Sequence, residues 1–238
     1  MGKDGKPTAD DYRFQDKAPE DYKLPDLNPF LKAHREHGLP VLTAEQAATL
    51  RGAWCNHFQR DAPLHVEIGS GNGFFLAGRA SQSPEFNWLG LEIRFKRVVL
   101  TARKIEKAKV QSIARIARYD AHQLSDLFEP EEIDCVYVNH PDPWPKDRHA
   151  KNRLLSTSFF QSLAALVKPG GEFRLKTDHV INVQAALEHP DESEWELLGR
   201  SDDVNGLGAP WPLDIATNYQ KKFLKKNEPV YAVWLRRI

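Results

Sequence analysis

The chain has 238 residues, of which 41% are hydrophobic, and its 33 basic and 33 acidic side chains give a formal net charge of zero. This length can bury the core of one large domain, and two cysteines placed far apart, Cys55 and Cys135, signal neither a disulfide framework nor a thiolate metal site. Because no run approaches the roughly 18 apolar residues of a membrane span and residues 1–30 lack a secretory signal, we expect a soluble, cytoplasmic protein.

Charge is segregated along the chain although it sums to zero. Residues 94–118 hold nine lysines or arginines against one acid, and residues 217–238 hold six against one. Acids gather in residues 4–26 and 188–203, with seven in each segment. Any one such run is compatible with a solvated helix face, but together they predict a polarised surface suited to a polyanion.

The first 28 residues are rich in Asp, Lys and Pro and poor in aliphatic side chains. Such a segment has too little apolar surface to offset the entropy of ordering. We therefore predict a flexible polar arm over residues 1–28 and a single domain over residues 29–238. At the start of that domain, Thr43 followed by helix formers predicts an N-capped helix that leads into the core.

Short apolar runs then alternate with helical patterns. The five runs cover residues 64–68, 88–93, 112–119, 134–138 and 172–177. This alternation is typical of βαβ units, and two later runs, 195–198 and 230–235, predict a closing antiparallel pair. The sequence therefore predicts an α/β fold with a doubly wound, mostly parallel sheet of about seven strands.

A glycine turn follows the first predicted strand, at Gly69, Gly71 and Gly73. The dinucleotide fingerprint places its third glycine one position later, where this chain has Phe74, so pyrophosphate binding is disfavoured. Glu67, just before the turn, would repel a phosphate and attract a cation. S-adenosylmethionine, which carries a sulfonium and an ammonium, fits this charge pattern.

Two more acids follow predicted strands. Glu92 lies 23 residues after Gly69, close to the offset at which an acid meets ribose hydroxyls. Asp120 follows the third strand and could accept a hydrogen bond from an adenine amino group. Together with Glu67, these residues predict a site for S-adenosylmethionine at the carboxyl edge of the sheet.

Asp142 lies in a proline-rich turn, Pro-Asp-Pro-Trp-Pro-Lys, that comes after the fourth predicted strand. The prolines make the turn stiff, and a basic tract follows it. That tract consists of Lys146, Arg148, Lys151 and Arg153. An acid beside a basic tract predicts chemistry on a nucleic acid. His140 and His149 lack metal-ligand spacing, so we interpret them as surface polar residues and predict no metal.

The motifs described above are followed along the chain by Thr177-Asp178. In these motifs and in their order, the chain resembles the bacterial tRNA (guanine-N7)-methyltransferase family over about residues 64–238. The tract from Pro141 to His149 is nearly specific to that family. The resemblance implies the class I, Rossmann-like methyltransferase fold, S-adenosylmethionine as methyl donor, and tRNA as partner of a monomer or homodimer. It also implies methylation at N7 of a guanine in the tRNA variable loop, at position 46.

Site residues are carried over by motif. The resemblance implies that the cofactor is bound by Glu67, Gly69, Gly71, Gly73, Glu92, Asp120 and Asp142, and that Asp142 is also the catalytic residue. The substrate would contact Lys146, Asp178, Thr217, Asn218, Tyr219 and Gln220, and RNA would contact Arg148, His149, Lys151 and Arg153. Because guanine N7 has a lone pair and no proton, Asp142 would align the base rather than act as a general base, and Trp144 is either a stacking platform for the base or a buried structural residue.

Two segments depart from the family pattern. Asn139-His140 stands where two aromatics are expected, and Thr217-Asn218-Tyr219-Gln220 stands where Thr-x-Phe-Glu is expected. Both segments lie on the substrate side. Three alternatives therefore stay open: a methyltransferase acting on an exocyclic amine or another base, a non-catalytic RNA-binding relative, and a nicotinamide oxidoreductase that the glycine spacing disfavours.

Overall fold

The computed structural model describes residues 29–238, so the predicted arm over residues 1–28 lies outside the described residues. Nine α-helices lie in this part of the chain: α1 Pro29–Glu36, α2 Ala44–Ala48, α3 Trp54–Phe58, α4 Phe74–Gln82, α5 Phe95–Lys107, α6 Thr157–Leu166, α7 Val180–Glu188, α8 Val204–Leu207 and α9 Asn218–Lys226. Two 3-10 helices cover Ala121–Asp126 and Asp147–Asn152.

Eight strands of the described residues form one sheet: β1 Val41–Leu42, β2 Leu64–Ile68, β3 Asn87–Glu92, β4 Ala114–Arg118, β5 Ile133–Asn139, β6 Val167–Thr177, β7 Trp195–Ser201 and β8 Tyr231–Arg237. Their order is β1-β4-β3-β2-β5-β6-β8-β7. The pairs β6–β8 and β7–β8 are antiparallel and the other pairs are parallel. The predicted doubly wound sheet is confirmed, with β1 as one strand more than the seven predicted.

The order of the strands in the sheet determines where the candidate ligand site lies. The chain lays β3 and β4 on one side of β2 and then crosses to lay β5 and β6 on the other side. The switch point therefore lies between β2 and β5, where parallel α/β sheets bind ligands outside the carboxyl ends of the strands. Glu67 lies near the end of β2 at this point and Asn139 ends β5.

The central parallel strands of the sheet are buried on both faces. Every residue of β2 and β4 is buried, as expected for strands covered by helices on both sides. One core contains Trp54, Phe128 and Phe160, and a second contains Trp88 and Val98. These two cores hold the strand ends at a fixed spacing.

The predicted helix after Thr43 is confirmed as α2. The Thr43 hydroxyl accepts from the Gln46 amide and the Gln46 side chain accepts from the Thr43 amide, which completes a capping box. No helix among the described residues has both the length and the apolar character needed to cross a bilayer. In the same part of the chain, no group of three or more His, Cys, Asp or Glu residues is arranged to hold a metal ion.

Candidate active site

The glycine turn joins β2 to α4 with all three glycines in the left-handed region, at φ of 75°, 55° and 73°. Gly69 and Gly73 differ in the space around their Cα atoms. A Cβ on Gly69 would meet nothing within 4 Å, so the space above it is open to a ligand. A Cβ on Gly73 would lie 2.7 Å from the Thr101 Cα of α5, so this glycine permits close packing of α4 on α5.

Glu67 is 2% exposed near the end of β2. Its Oε1 accepts from the Asn139 amide at 3.1 Å, while its Oε2 has no hydrogen-bond partner among the described residues. Burial raises the pKa of Glu67 to about 7, against the opposing effects of the hydrogen bond from Asn139 and the charge of Lys176. A buried carboxylate with one free oxygen fits a cationic or amine-bearing ligand, which would satisfy that oxygen and favour ionisation.

Glu92 ends β3 beside the glycine turn. Its Oε2 accepts from the Gly71 amide at 3.0 Å and its Oε1 accepts from the Arg94 amide at 2.9 Å. Burial raises the pKa of Glu92, and these two backbone hydrogen bonds oppose the rise. Glu92 therefore braces the turn, and each of its oxygens keeps a lone pair for a ligand hydroxyl.

Asp120 follows β4 and caps the 3-10 helix that begins at Ala121. Its Oδ1 accepts from the His122 amide at 3.0 Å and lies 2.8 Å from the His122 Nδ1. Because β2, β3 and β4 are parallel neighbours, the structure brings Glu67, Glu92 and Asp120 to one edge of the sheet. This is the arrangement that the sequence predicts for the cofactor acids.

Two residues of the proline-rich segment have positive φ: His140, just before the turn, at 51°, and Trp144, within the turn, at 42°. A positive φ strains the backbone of a residue that carries a side chain. Such a conformation persists only where contacts with the surrounding structure hold it in place, which is often the case at functional sites. The Asn182 amide donates to the Pro141 carbonyl at 2.9 Å and fixes the start of the turn. Asp142 is exposed, and no hydrogen bond to it is found in residues 29–238.

The basic tract divides into two groups. Lys146, Arg148 and Lys151 are exposed and available to a polyanion. Arg153 donates to the Trp144 carbonyl at 3.2 Å, and the His149 ring packs edge-on against the half-buried Trp144 ring at 5.5 Å. His149 and Arg153 thus support the Trp144 end of the turn.

The prediction that His140 is a surface polar residue is wrong. Its side chain is 3% exposed. The Nδ1 lies 3.0 Å from Asp178 Oδ1, the Nε2 lies 3.0 Å from Thr217 Oγ1, and the ring stacks on Phe223 at 5.7 Å. The hydrogen bond from His140 lowers the pKa of Asp178. Tyr219 is also in ring contact, at 5.5 Å, so His140 gathers three of the residues predicted to contact the substrate.

Helix α9 begins in this cluster. Thr217 is its N-cap and accepts from the Gln220 amide at 2.9 Å. The buried Gln220 side chain accepts from the Lys176 ammonium at 3.3 Å. That ammonium is itself buried and also donates to Asp214 at 2.9 Å and to the Ile215 carbonyl at 2.7 Å. Burial lowers the pKa of Lys176, and Asp214 opposes this effect.

Sequence reasoning missed Lys176 and Asp214. The available signal for Lys176 was a lysine near the carboxyl end of a strand predicted to lie inside the sheet, where a buried lysine requires a partner. Asp214 lies in an irregular segment with no pattern of its own. Its role is evident only from the contact between segments 38 residues apart.

Comparisons with known proteins place this chain among methyltransferases. A family model described as "Putative methyltransferase" matches residues 61–233. The tRNA (guanine-N(7)-)-methyltransferase of Bacillus subtilis is 35% identical over 185 residues, which cover 77% of this chain and 85% of that protein. The enzyme of the same name from Oenococcus oeni is 33% identical over 84% of this chain and 92% of its own length.

Solved structures share the fold at low identity. An antibiotic-related methyltransferase superposes with a TM-score of 0.59 at 12% identity, covering 79% of this chain and 94% of its own. TrmN from Thermus thermophilus superposes with a TM-score of 0.54 at 16% identity, covering 80% of this chain and 49% of its own. These likenesses agree with the class I methyltransferase fold that the sequence predicts.

Proposed function

This chain belongs to the tRNA (guanine-N(7)-)-methyltransferase family, and we propose that it transfers the methyl group of S-adenosylmethionine to N7 of a guanine in the tRNA variable loop, at position 46. The observation that carries this proposal is the match to the curated enzymes over more than four fifths of their own length. The predicted resemblance to the family is thereby confirmed. The site residues and their roles are part of the proposal.

The described residues fit S-adenosylmethionine. The open space above Gly69 accommodates a ligand at the switch point, and the free Glu67 oxygen suits a cationic or amine group. Glu92 would accept from the ribose hydroxyls and Asp120 from the adenine amino group, with Gly71 and Gly73 shaping the turn. When bound, S-adenosylmethionine supplies a methyl group on a positively charged sulfur.

Asp142 is proposed as the catalytic residue through alignment. Guanine N7 uses its own lone pair to accept the methyl group and releases no proton, so no general base is required. The free carboxylate of Asp142 would accept from the guanine N1–H and exocyclic amine and hold N7 in line, while it also borders the cofactor. Alignment of reactants and exclusion of water can lower a barrier by roughly 7 to 11 kcal/mol.

The substrate side would hold the guanine and its backbone. Asp178, Thr217, Asn218, Tyr219 and Gln220 are proposed to line the base site. Lys146, Arg148, His149, Lys151 and Arg153 would contact phosphate or neighbouring RNA. Trp144 would stack on the extruded base, since bases modified in folded RNA leave their stack.

The direct test is a transfer assay. Purified protein is incubated with methyl-labelled S-adenosylmethionine and tRNA from a strain without its own N7 activity, and the labelled nucleoside is identified by chromatography. We expect label in 7-methylguanosine, with Asp142→Asn retaining more activity than Asp142→Ala because the amide can still align the base. Label in another nucleoside, or none despite donor binding, would overturn the proposal.

A matched control comes from the opposite edge of the sheet. Asp61 is exposed and lies just before β2, at its amino end. Asp61→Ala and Asp61→Asn should both keep wild-type activity. Equal and complete loss in both Asp142 variants at saturating donor would contradict alignment as the role of Asp142.

A further inference from the structure

A cavity of about 370 Å³ opens beside the glycine turn, outside the cofactor acids and the proline-rich turn. Its lining includes Asn72 of the glycine turn, Arg97 of α5, and Tyr219, Lys221, Lys222 and Lys225 of α9. No acidic residue of the described part of the chain lines it. The proposed transfer reaction assigns no role to these four cations.

The cavity joins two basic segments that are far apart in the sequence. Arg97 belongs to the basic run of residues 94–118, and the three lysines belong to that of residues 217–238. On α9 the lining positions 218, 221, 222 and 225 are spaced i, i+3, i+4 and i+7, which is one face of a helix. The fold therefore concentrates charge that the sequence distributes over both segments.

Within residues 29–238, none of these four cations forms a salt bridge. Arg97 donates to the neutral Asn72 Oδ1 at 2.5 Å, and the Lys222 ammonium lies 5.1 Å from the centre of the Tyr219 ring. Lys221 and Lys225 are exposed. The charge of Arg97 interacts with that of Glu92, but no carboxylate of the described residues lines the cavity, and an anion bound among the four cations would reduce their mutual repulsion.

We propose that this cavity binds a backbone phosphate of the tRNA close to the target guanine. The proposal rests on the proposed function, because the cavity shares Asn218 and Tyr219 with the segment that would contact the guanine. Its opposite wall is the glycine turn that would hold the donor. A phosphate bound there would fix the substrate strand between the two sites and leave the base free to enter the site.

The test compares salt dependence of tRNA binding. The variant Lys221→Gln/Lys225→Gln removes two charges from the cavity face of α9, and Lys109→Gln removes an exposed lysine before β4 at the amino edge of the sheet. Each phosphate contact contributes about 0.7 to 0.9 to the slope of log K against log salt. Loss of one contact should therefore raise Kd about five- to eightfold at 0.1 M salt and hardly at all at 1 M.

We expect the double variant to have a shallower salt slope and a higher Kd for tRNA, with unchanged affinity for S-adenosylmethionine. Lys109→Gln should match the wild type. A double variant with the wild-type slope and Kd would overturn the phosphate site. Because binding is measured without methyl transfer, this result is separate from the proposed function, which fails only if wild-type protein forms no 7-methylguanosine.

Discussion

Glu67, a proposed binding residue, illustrates how a binding role can act against stability. Its ionised form is costly in the folded protein because the carboxylate is buried with one unpaired oxygen. The same charge is what would attract a cationic donor. The protein retains a residue that destabilises the ligand-free fold, as is common for binding sites.

This conflict predicts a pH-dependent effect of Glu67→Gln. The pKa of Glu67 is raised from 4.5 to about 7 in the folded protein, so the folded state holds an extra proton between these values. Wild-type stability is therefore lost as pH rises through this window, and the glutamine variant escapes that loss. Without donor, the stability of the variant relative to wild type should rise by roughly 2 to 3 kcal/mol between pH 5 and pH 8.

Urea unfolding at the two pH values measures this difference. The glutamine side chain of the variant keeps an oxygen for the Asn139 amide, so the hydrogen bond at this position is conserved. The variant should also bind S-adenosylmethionine more weakly at pH 8. A stability difference that does not change with pH would show that Glu67 does not titrate in this range.

At the scale of single residues, the sequence predicts where a residue lies in the fold better than it predicts which residues it contacts. The shared position of Glu67, Glu92 and Asp120 could be predicted because each lies near or just after a strand end, and parallel strands end at one edge of the sheet; their role in binding stays a prediction. His140 could not, because its partners Asp178 and Thr217 lie 38 and 77 residues away along the chain. A side chain that meets its neighbours only after folding leaves no periodic signal.

Among the elements, the parallel strands were predictable and α9 was not. Buried, mostly apolar runs mark strands β2, β3 and β5, because helices cover both faces of the sheet at its centre. Strand β1 has two residues, which is too short for any pattern. Helix α9 buries only Gln220 and is largely basic, so it lacks the run of buried apolar residues that marks a core helix.

Helix α9 is docked through His140, which predicts the effect of His140→Phe. Phenylalanine keeps the ring stack on Phe223 but loses the hydrogen bonds to Asp178 and Thr217. Each such bond contributes about 0.5 to 1.5 kcal/mol net. We expect KM for tRNA to rise about tenfold, equivalent to about 1.4 kcal/mol, while kcat and donor affinity change less.

Steady-state kinetics with varied tRNA and, separately, varied S-adenosylmethionine give kcat and the KM for each substrate. His189→Phe is a matched control, because His189 ends α7 and its ring contacts the Thr157 hydroxyl, at 3.2 Å, away from α9. This control should leave both KM values unchanged. If His140→Phe lowered affinity for both substrates equally, His140 would act through general stability and not by positioning α9.

For the whole molecule, buried titratable groups set the response to acid. Burial lowers the pKa of His34 to about 4 and that of His65 to about 3. His65 stacks on Phe86 at 4.1 Å and His34 packs edge-on against Phe95 at 5.1 Å. Both rings are neutral in the fold and take up protons once it opens.

As pH falls, the buried histidines lower the stability of the fold, whereas Glu67 raises it. A histidine with a lowered folded pKa contributes stability that is present above its unfolded value of 6.5 and is lost as pH falls toward the folded value. Glu67 regains stability over nearly the same interval, from about pH 7 to 4.5. Glu92, whose pKa burial also raises, acts in the same direction as Glu67, so these two glutamates oppose the loss of stability that the two buried histidines cause in acid.

His65→Phe tests which groups drive acid unfolding. The ring can keep its stack on Phe86 but no longer titrates, although it loses the contact with the Tyr137 hydroxyl at 3.2 Å. The absolute stability at pH 7 therefore falls, while the decline from pH 7 to pH 4 should shrink by about 3 kcal/mol, which is the part of the linkage energy that falls between these pH values for a histidine whose pKa is lowered from 6.5 to about 3. Urea unfolding at both pH values gives this difference. If His65→Phe declines as steeply as the wild type, the buried ring of His65 does not control acid unfolding, and His34 or the carboxylates must.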